Sequence, residues 1–271
     1  AAGTPPSGFT YGAEFDSSQI NAGTASFTIG DHGTHVTGIA AGNGLPSKAY
    51  VGMAPEADII MVVNSGQDLF NRGQTSVGTL DGYDYVRTKA TQVGKRFVIN
   101  TSQGTNLGPH DGKSLFEQAV NADVAAGAIN VLSAGNEAAS ARHASAVVGT
   151  SSPPEIDFSL SGGTSYVIPL DIWYKAADRM QIEVKKIADA SYRSPVATGA
   201  SQSLVFDSVT VAISSITNSV LNGDNEIYLT VTLNKNISSS SPYRMRLRFS
   251  AEGGNQLPGG GRVDLWWERN W

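Results

Sequence analysis

The chain has 271 residues, 40% hydrophobic and 16% charged, a balance that excludes an intrinsically disordered protein and leaves room for two domains. Its net charge of −5 comes with no basic stretch able to track phosphates, so nucleic acid is not an expected partner. With 0 Cys, disulfides, zinc thiolates and thiol nucleophiles are excluded together, and no apolar run reaches the length of a membrane span.

The chain opens with Ala1 rather than Met and shows no signal peptide, so a processed product or a piece of a longer chain is expected. After the opening "GTPPSGFTYGAEF" comes "DHGTHVTGIAAGNG", Asp31 to Gly44. This stretch predicts a helix with Asp31 as N-cap and His32 in the first turn. Its small residues from Val36 to Ala41 would let other elements approach closely, so the helix is expected to be largely buried. "ADIIMVV" (Ala57 to Val63) is a continuous apolar run, the pattern of a strand covered on both faces. Leu80, Tyr83, Val86, Ala90 and Val93 follow at helical spacing, with Gly94 as a stop. "FVIN" (Phe97 to Asn100) predicts a short buried strand. Ser114, with Glu117 three residues on, predicts a capped helix ending at Gly127. "INVLSAGN" (Ile129 to Asn136) predicts a third strand. Strands alternating with helices imply crossovers and a parallel sheet.

From about residue 150 the pattern changes. "SYVIPLDIWY", "SLVFDSVTVAI", "EIYLTVTL" and "YRMRLRF" read as strands, the last two with a period of two. Turn-rich stretches such as "LNGDNE", "SSSSP" and "GGNQLPGGG" separate them. An antiparallel sandwich or jelly roll is expected. The fold class is therefore α/β with a β-sandwich inserted: residues 1–148, 149–262, and a return segment 263–271.

Two of the four histidines, His32 and His35, sit three apart in the Asp31–Gly44 stretch. A metal site is one reading, but the spacing is not the four-residue H-E-x-x-H, and no third ligand is near. Structural histidines are a second. A catalytic base is a third: at a helix N-terminus the dipole disfavours imidazolium and helps keep the ring neutral near pH 7.

The same stretch resembles the histidine motif of the subtilisin-like serine proteases. "VGMAPEADIIMVV" resembles the strand that follows it there, "VINTSQG" the substrate-binding strand and "VLSAGNE" the oxyanion segment. Four motifs in order cover roughly residues 30–137, and the β-rich region after them resembles the bacterial subgroup whose protease domain is interrupted by a jelly roll. The resemblance implies a serine endopeptidase working through an acyl-enzyme, with a peptide or protein as substrate and no cofactor or metal. His32 would be the general base, His35 a packed structural residue and Asn136 the oxyanion donor. Ser102, Gln103 and Gly104 would pair with an extended peptide, and Ala134 and Gly135 would wall the specificity pocket. An extracellular or cell-envelope setting is implied, with the oligomeric state open.

The family also needs an aspartate in a D-T-G or D-S-G turn and a serine in G-T-S-x-A/S-x-P. Asp16 in "EFDSSQ" and Asp31, adjacent to the histidine, fit neither requirement. Ser151 is followed by Ser152, Pro153 and Pro154, which stop a helix, and Ser165 leads into a strand. Two explanations stay open: a central piece of a complete protease, inactive alone, or a pseudoprotease that binds protein or glycan without chemistry.

Four lesser features complete the reading. Arg244, Arg246 and Arg248 are expected on one solvated strand face. "NGDNE" reads as a hairpin turn rather than a calcium loop. His110 beside Asp111 is expected in a surface loop at the cleft rim. Trp266, Trp267 and Trp271 are expected as core and edge aromatics of the return strand, with a sugar-binding platform as the alternative.

Overall fold

The alternation of helix and strand patterns is realised in the computed structural model, which describes residues 3–25, 31–45, 49–63, 77–149 and 152–268. These form two units. The first takes the described residues up to 63, 77–102 and 126–132; the second takes 103–125 and 133–268.

In the first unit, α1 (Ser17–Asn21) is opened by Asp16, whose carboxylate accepts the Gln19 N–H at 2.9 Å while Gln19 reaches back to the Asp16 N–H. α2 (Asp31–Ala41) starts at Asp31 itself, so the aspartate is the first helical residue rather than the expected N-cap, and the position before it lies outside the described residues. The C-terminal carbonyls of α2 are satisfied from the next segment: Gly52, Met53 and Ala54 donate to Gly42, Ile39 and Ala40 at 2.7–3.0 Å. Gly52 is required for this approach, because a Cβ there would lie 2.5 Å from the Gly42 nitrogen.

α3 (Val77–Gln92) buries Tyr83, Val86 and Ala90 on the predicted stripe and stops before Gly94, which has φ +63°. β1 (Val98–Thr101) and β2 (Ile129–Leu132) pair in parallel, Val98 opposite Ile129 and Thr101 opposite Leu132, as crossover connections require.

Expectations of burial fail in this unit: β1, read as a buried strand, buries only Ile99 and leaves Val98 59% exposed. The run 57–63 is not a strand, and Ile59 to Val63 are 39–53% exposed. A parallel strand is buried only when neighbours flank it and layers cover it, and among the described residues β1 and β2 pair only with each other. For the same reason α2 is not a buried helix: no residue in it is buried, and His35 is exposed rather than packed beneath it.

The second unit holds α4 (Leu115–Ala125), capped as the sequence predicts: Glu117 N–H donates to Ser114 Oγ at 3.3 Å, and the Ser114 N–H donates to the Glu117 carboxylate at 3.0 Å. After Ala125 the described residues form no further α-helix, only β-structure and a short 3-10 turn at Glu252–Gly254. The strands are β3 (His143–Val147), β4 (Glu155–Leu160), β5 (Val167–Tyr174), β6 (Met180–Lys186), β7 (Ser201–Val205), β8 (Val209–Ile216), β9 (Asn225–Leu233), β10 (Tyr243–Ala251) and β11 (Arg262–Trp267). They build a six-stranded antiparallel sheet, β3-β11-β5-β9-β8-β7, and a three-stranded one, β4-β10-β6. The run "SLVFDSVTVAI", read as strand throughout, turns back on itself between β7 and β8, where Phe206 N–H donates to Val209 O.

Both sheets feed one apolar core. Ile172, Ile227, Leu229 and Val263 come from the larger sheet, and Met180, Ile182, Met245, Leu247 and Phe249 from the smaller, all 0% exposed. The ends of the 149–262 stretch lie side by side: Val147 pairs with Arg262, and the Val148 N–H donates to Gly261 O at 2.8 Å. Of the β10 arginines, Arg244 is exposed as expected, whereas Arg246 and Arg248 are ion-paired. Arg246 bonds Asp157 and Glu155, and Arg248 makes a bidentate pair with Glu183 at 2.8 Å.

Candidate active site

His32 is the second residue of α2 and is exposed, with its ring carried on the first turn as predicted. Ser102 follows β1 directly and accepts a hydrogen bond from Asn100 Nδ2 at 3.1 Å. His32, His35 and Ser102 belong to the first unit. Gln103, Gly104, Ala134, Gly135 and Asn136 belong to the second. Within that second unit the Gln103 segment meets the residue before Ala134: Ser133 Oγ donates to Gln103 O at 3.3 Å. Ala134, Gly135 and Asn136 leave β2 as an exposed turn, with Gly135 at φ +83° and the Asn136 N–H bonded to Glu137 at 2.7 Å.

Asp16 is occupied as a helix cap; the Ser18 hydroxyl, then the Gln19 N–H, hold its carboxyl below the usual range. Asp31 is an exposed helix-start residue. Ser165 has φ +63° and stands in the turn into β5, not at the head of a helix. Ser151 lies outside the described residues.

The other singled-out residues all carry local duties. His110 stacks on Trp266 with centroids 4.3 Å apart, and its Nε2 lies 2.9 Å from Asn106 O. His143 also stacks on Trp266 and bonds Asp264 at 3.1 Å. Trp267 donates to Ala141 O and lies under the Arg142 guanidinium at 4.2 Å. Trp271 lies outside the described residues. Asn222 and Gly223 occupy the β8–β9 turn, where Asp224 holds Lys175 at 2.9 Å. An apolar cavity of about 260 Å³ opens at the mouth of the two sheets, lined by Ala144, Phe158, Leu160, Leu170, Leu265 and Trp267 among others.

Sequence reasoning missed two acids. Asp171, in the middle of β5, is 1% exposed, and its Oδ2 accepts the Gly108 N–H at 2.7 Å. Burial first, then the charge of Glu226, pushes its carboxyl up to about 7. Glu268, 7% exposed, accepts from Thr105 Oγ1 at 2.5 Å, and its carboxyl is raised by burial against the pull of Thr105 and the Asn106 N–H. A signal existed for the first: a single carboxylate within "VIPLDIWY".

Residues 14–269 match the sequence model of the subtilase family. Among solved structures, the Clostridium perfringens CspB protease is similar in fold, with a TM-score of 0.68 at 21% identity over 88% of this chain. The alignment takes in 48% of that protease, so the chain spans about half its length.

Proposed function

The chain belongs to the subtilase family, and from that premise we propose that its parent protein is a bacterial subtilisin-type serine endopeptidase, extracellular or of the cell envelope. The match over residues 14–269 carries the reading. His32 takes the proton of an attacking serine hydroxyl as that oxygen bonds the scissile carbonyl carbon. Asn136 donates its side-chain amide to the oxyanion, and the imidazolium returns the proton to the leaving amine, so that an acyl-enzyme remains for water to hydrolyse. Ser102, Gln103 and Gly104 present backbone groups to an extended peptide, and Ala134 and Gly135 wall the pocket for its side chain.

The serine and the orienting aspartate come from segments outside these 271 residues. The exposed apolar run Ile59–Val63 and the uncovered α2 support this, because such surface is what additional sheet and helix layers cover. Residues 149–262 are then an inserted jelly-roll-like sandwich. The Val148–Gly261 hydrogen bond supports insertion, since a domain spliced into a loop must enter and leave at one place.

Without nucleophile and orienter, the 271 residues alone form no acyl-enzyme. A fluorophosphonate probe is expected to leave this chain unlabelled and to label the parent protein at a serine outside it. Labelling that maps to Ser151 or Ser165 would overturn the assignment. Silence in the parent would favour the non-catalytic binding module.

A further inference from the structure

The segment 103–111 has no regular structure, yet Leu107, Gly108 and Pro109 are buried. It is held at four points. Thr105 donates to Glu268, the Gly108 N–H donates to Asp171, the His110 ring stacks on Trp266, and Asp111 accepts from Asn222 Nδ2 at 3.0 Å. The partners come from β5, β11, the residue after β11 and the β8–β9 turn. Asp171 and Trp266 sit opposite each other in the β5–β11 register. Both therefore point away from the core face that carries Ile172 and Leu265. Burying two carboxyls here is not an efficient way to stabilise a sheet; apolar residues of the same volume do that better. What the carboxyls supply is direction. Each takes a specific donor from the segment, and Gly108, at φ +109°, aims its N–H in a backbone conformation other residues rarely adopt.

We propose that Asp171 and Glu268 are positioning residues of the peptide-binding edge: by gripping Thr105 and Gly108 they fix Gln103 and Gly104 in register for an incoming extended peptide. The inference rests on the protease reading of that edge. The physical link is short. Gly104 adjoins Thr105, and Gln103 O is tied to Ser133 at the foot of the Ala134–Asn136 turn. An edge that pairs with a peptide through its backbone loses affinity if it must first be ordered.

Hydrogen exchange on the 271-residue chain tests this without catalysis. Asp171→Leu and Glu268→Leu are expected to speed exchange across residues 103–111 by about tenfold or more, with peptides from β9 and β10 unchanged. Asp171→Asn and Glu268→Gln keep an acceptor oxygen and are expected to restore wild-type protection. Unchanged exchange in the Leu variants, loss of protection throughout the sheets, or failure of the amide variants to restore would each overturn the proposal. Denatured casein is expected to slow exchange at 103–104 further in the wild type. If the grip is confirmed but casein has no effect, the link to peptide binding falls, whereas probe labelling of the parent judges the protease reading separately.

Discussion

Asp171 shows how a single buried carboxyl records its surroundings. In the unfolded chain it loses its proton near 3.8; in the folded chain burial and Glu226 hold the proton until about 7. A raised folded value means that its contribution to stability is complete below the unfolded value and is lost as pH rises through the folded one. Asp171→Asn removes that dependence while keeping the acceptor for Gly108. The variant is expected to match the wild type near pH 4 and to gain on it up to pH 7, by at most about 1.4 kcal/mol per pH unit, then level off. Urea midpoints at pH 4.5, 6 and 8 measure this; a constant gap across the three would show that Asp171 does not titrate in that interval. Asp178 illustrates a different use of a buried acid: its two oxygens accept the N–H groups of Gly259 and Gly261, at 2.6 and 3.0 Å, and so order the loop before β11.

At the level of elements, local chemistry accounts for the helices and tertiary pairing for the strands. α4 is opened by Ser114 and Glu117, each bonding the other's backbone N–H. Ser114→Ala is expected to cost about 1 kcal/mol. Thermal denaturation followed by circular dichroism checks it, and a loss near zero would mean that water caps this helix as well as serine does. The β10 arginines give a smaller return. Their partners Glu155, Asp157 and Glu183 lie on a partly exposed face, where solvent screens each pair. Their row was legible from the alternation of "YRMRLRF"; the acids were not, because they come from β4 and β6 through sheet register.

For the whole molecule, the two units differ in how much apolar surface they bury. In the first, the buried apolar side chains among the described residues are Tyr83, Val86, Ala90, Ile99 and Ala128. The second joins both sheets through one extended core. At about 25 cal/mol per Å² removed from water, the larger core dominates. Amides of α3 and β1 are therefore expected to lose protection at lower urea than those of β5, β9 and β10. One coincident transition across all peptides would contradict the separation.

The sequence by itself determined what depends on neighbours along the chain: the α4 cap, the α3 stripe and its glycine stop, the period-two strands, and the four motifs that mark the family. These follow from backbone sterics and side-chain periodicity, which act within a few residues. Tertiary structure alone decided what depends on residues far apart in sequence. It left the 57–63 run uncovered, since burial requires other layers, and it joined Val148 to Gly261. It also brought Gly108 to Asp171, 63 positions apart, because sheet register and loop docking are set by packing that no local pattern encodes.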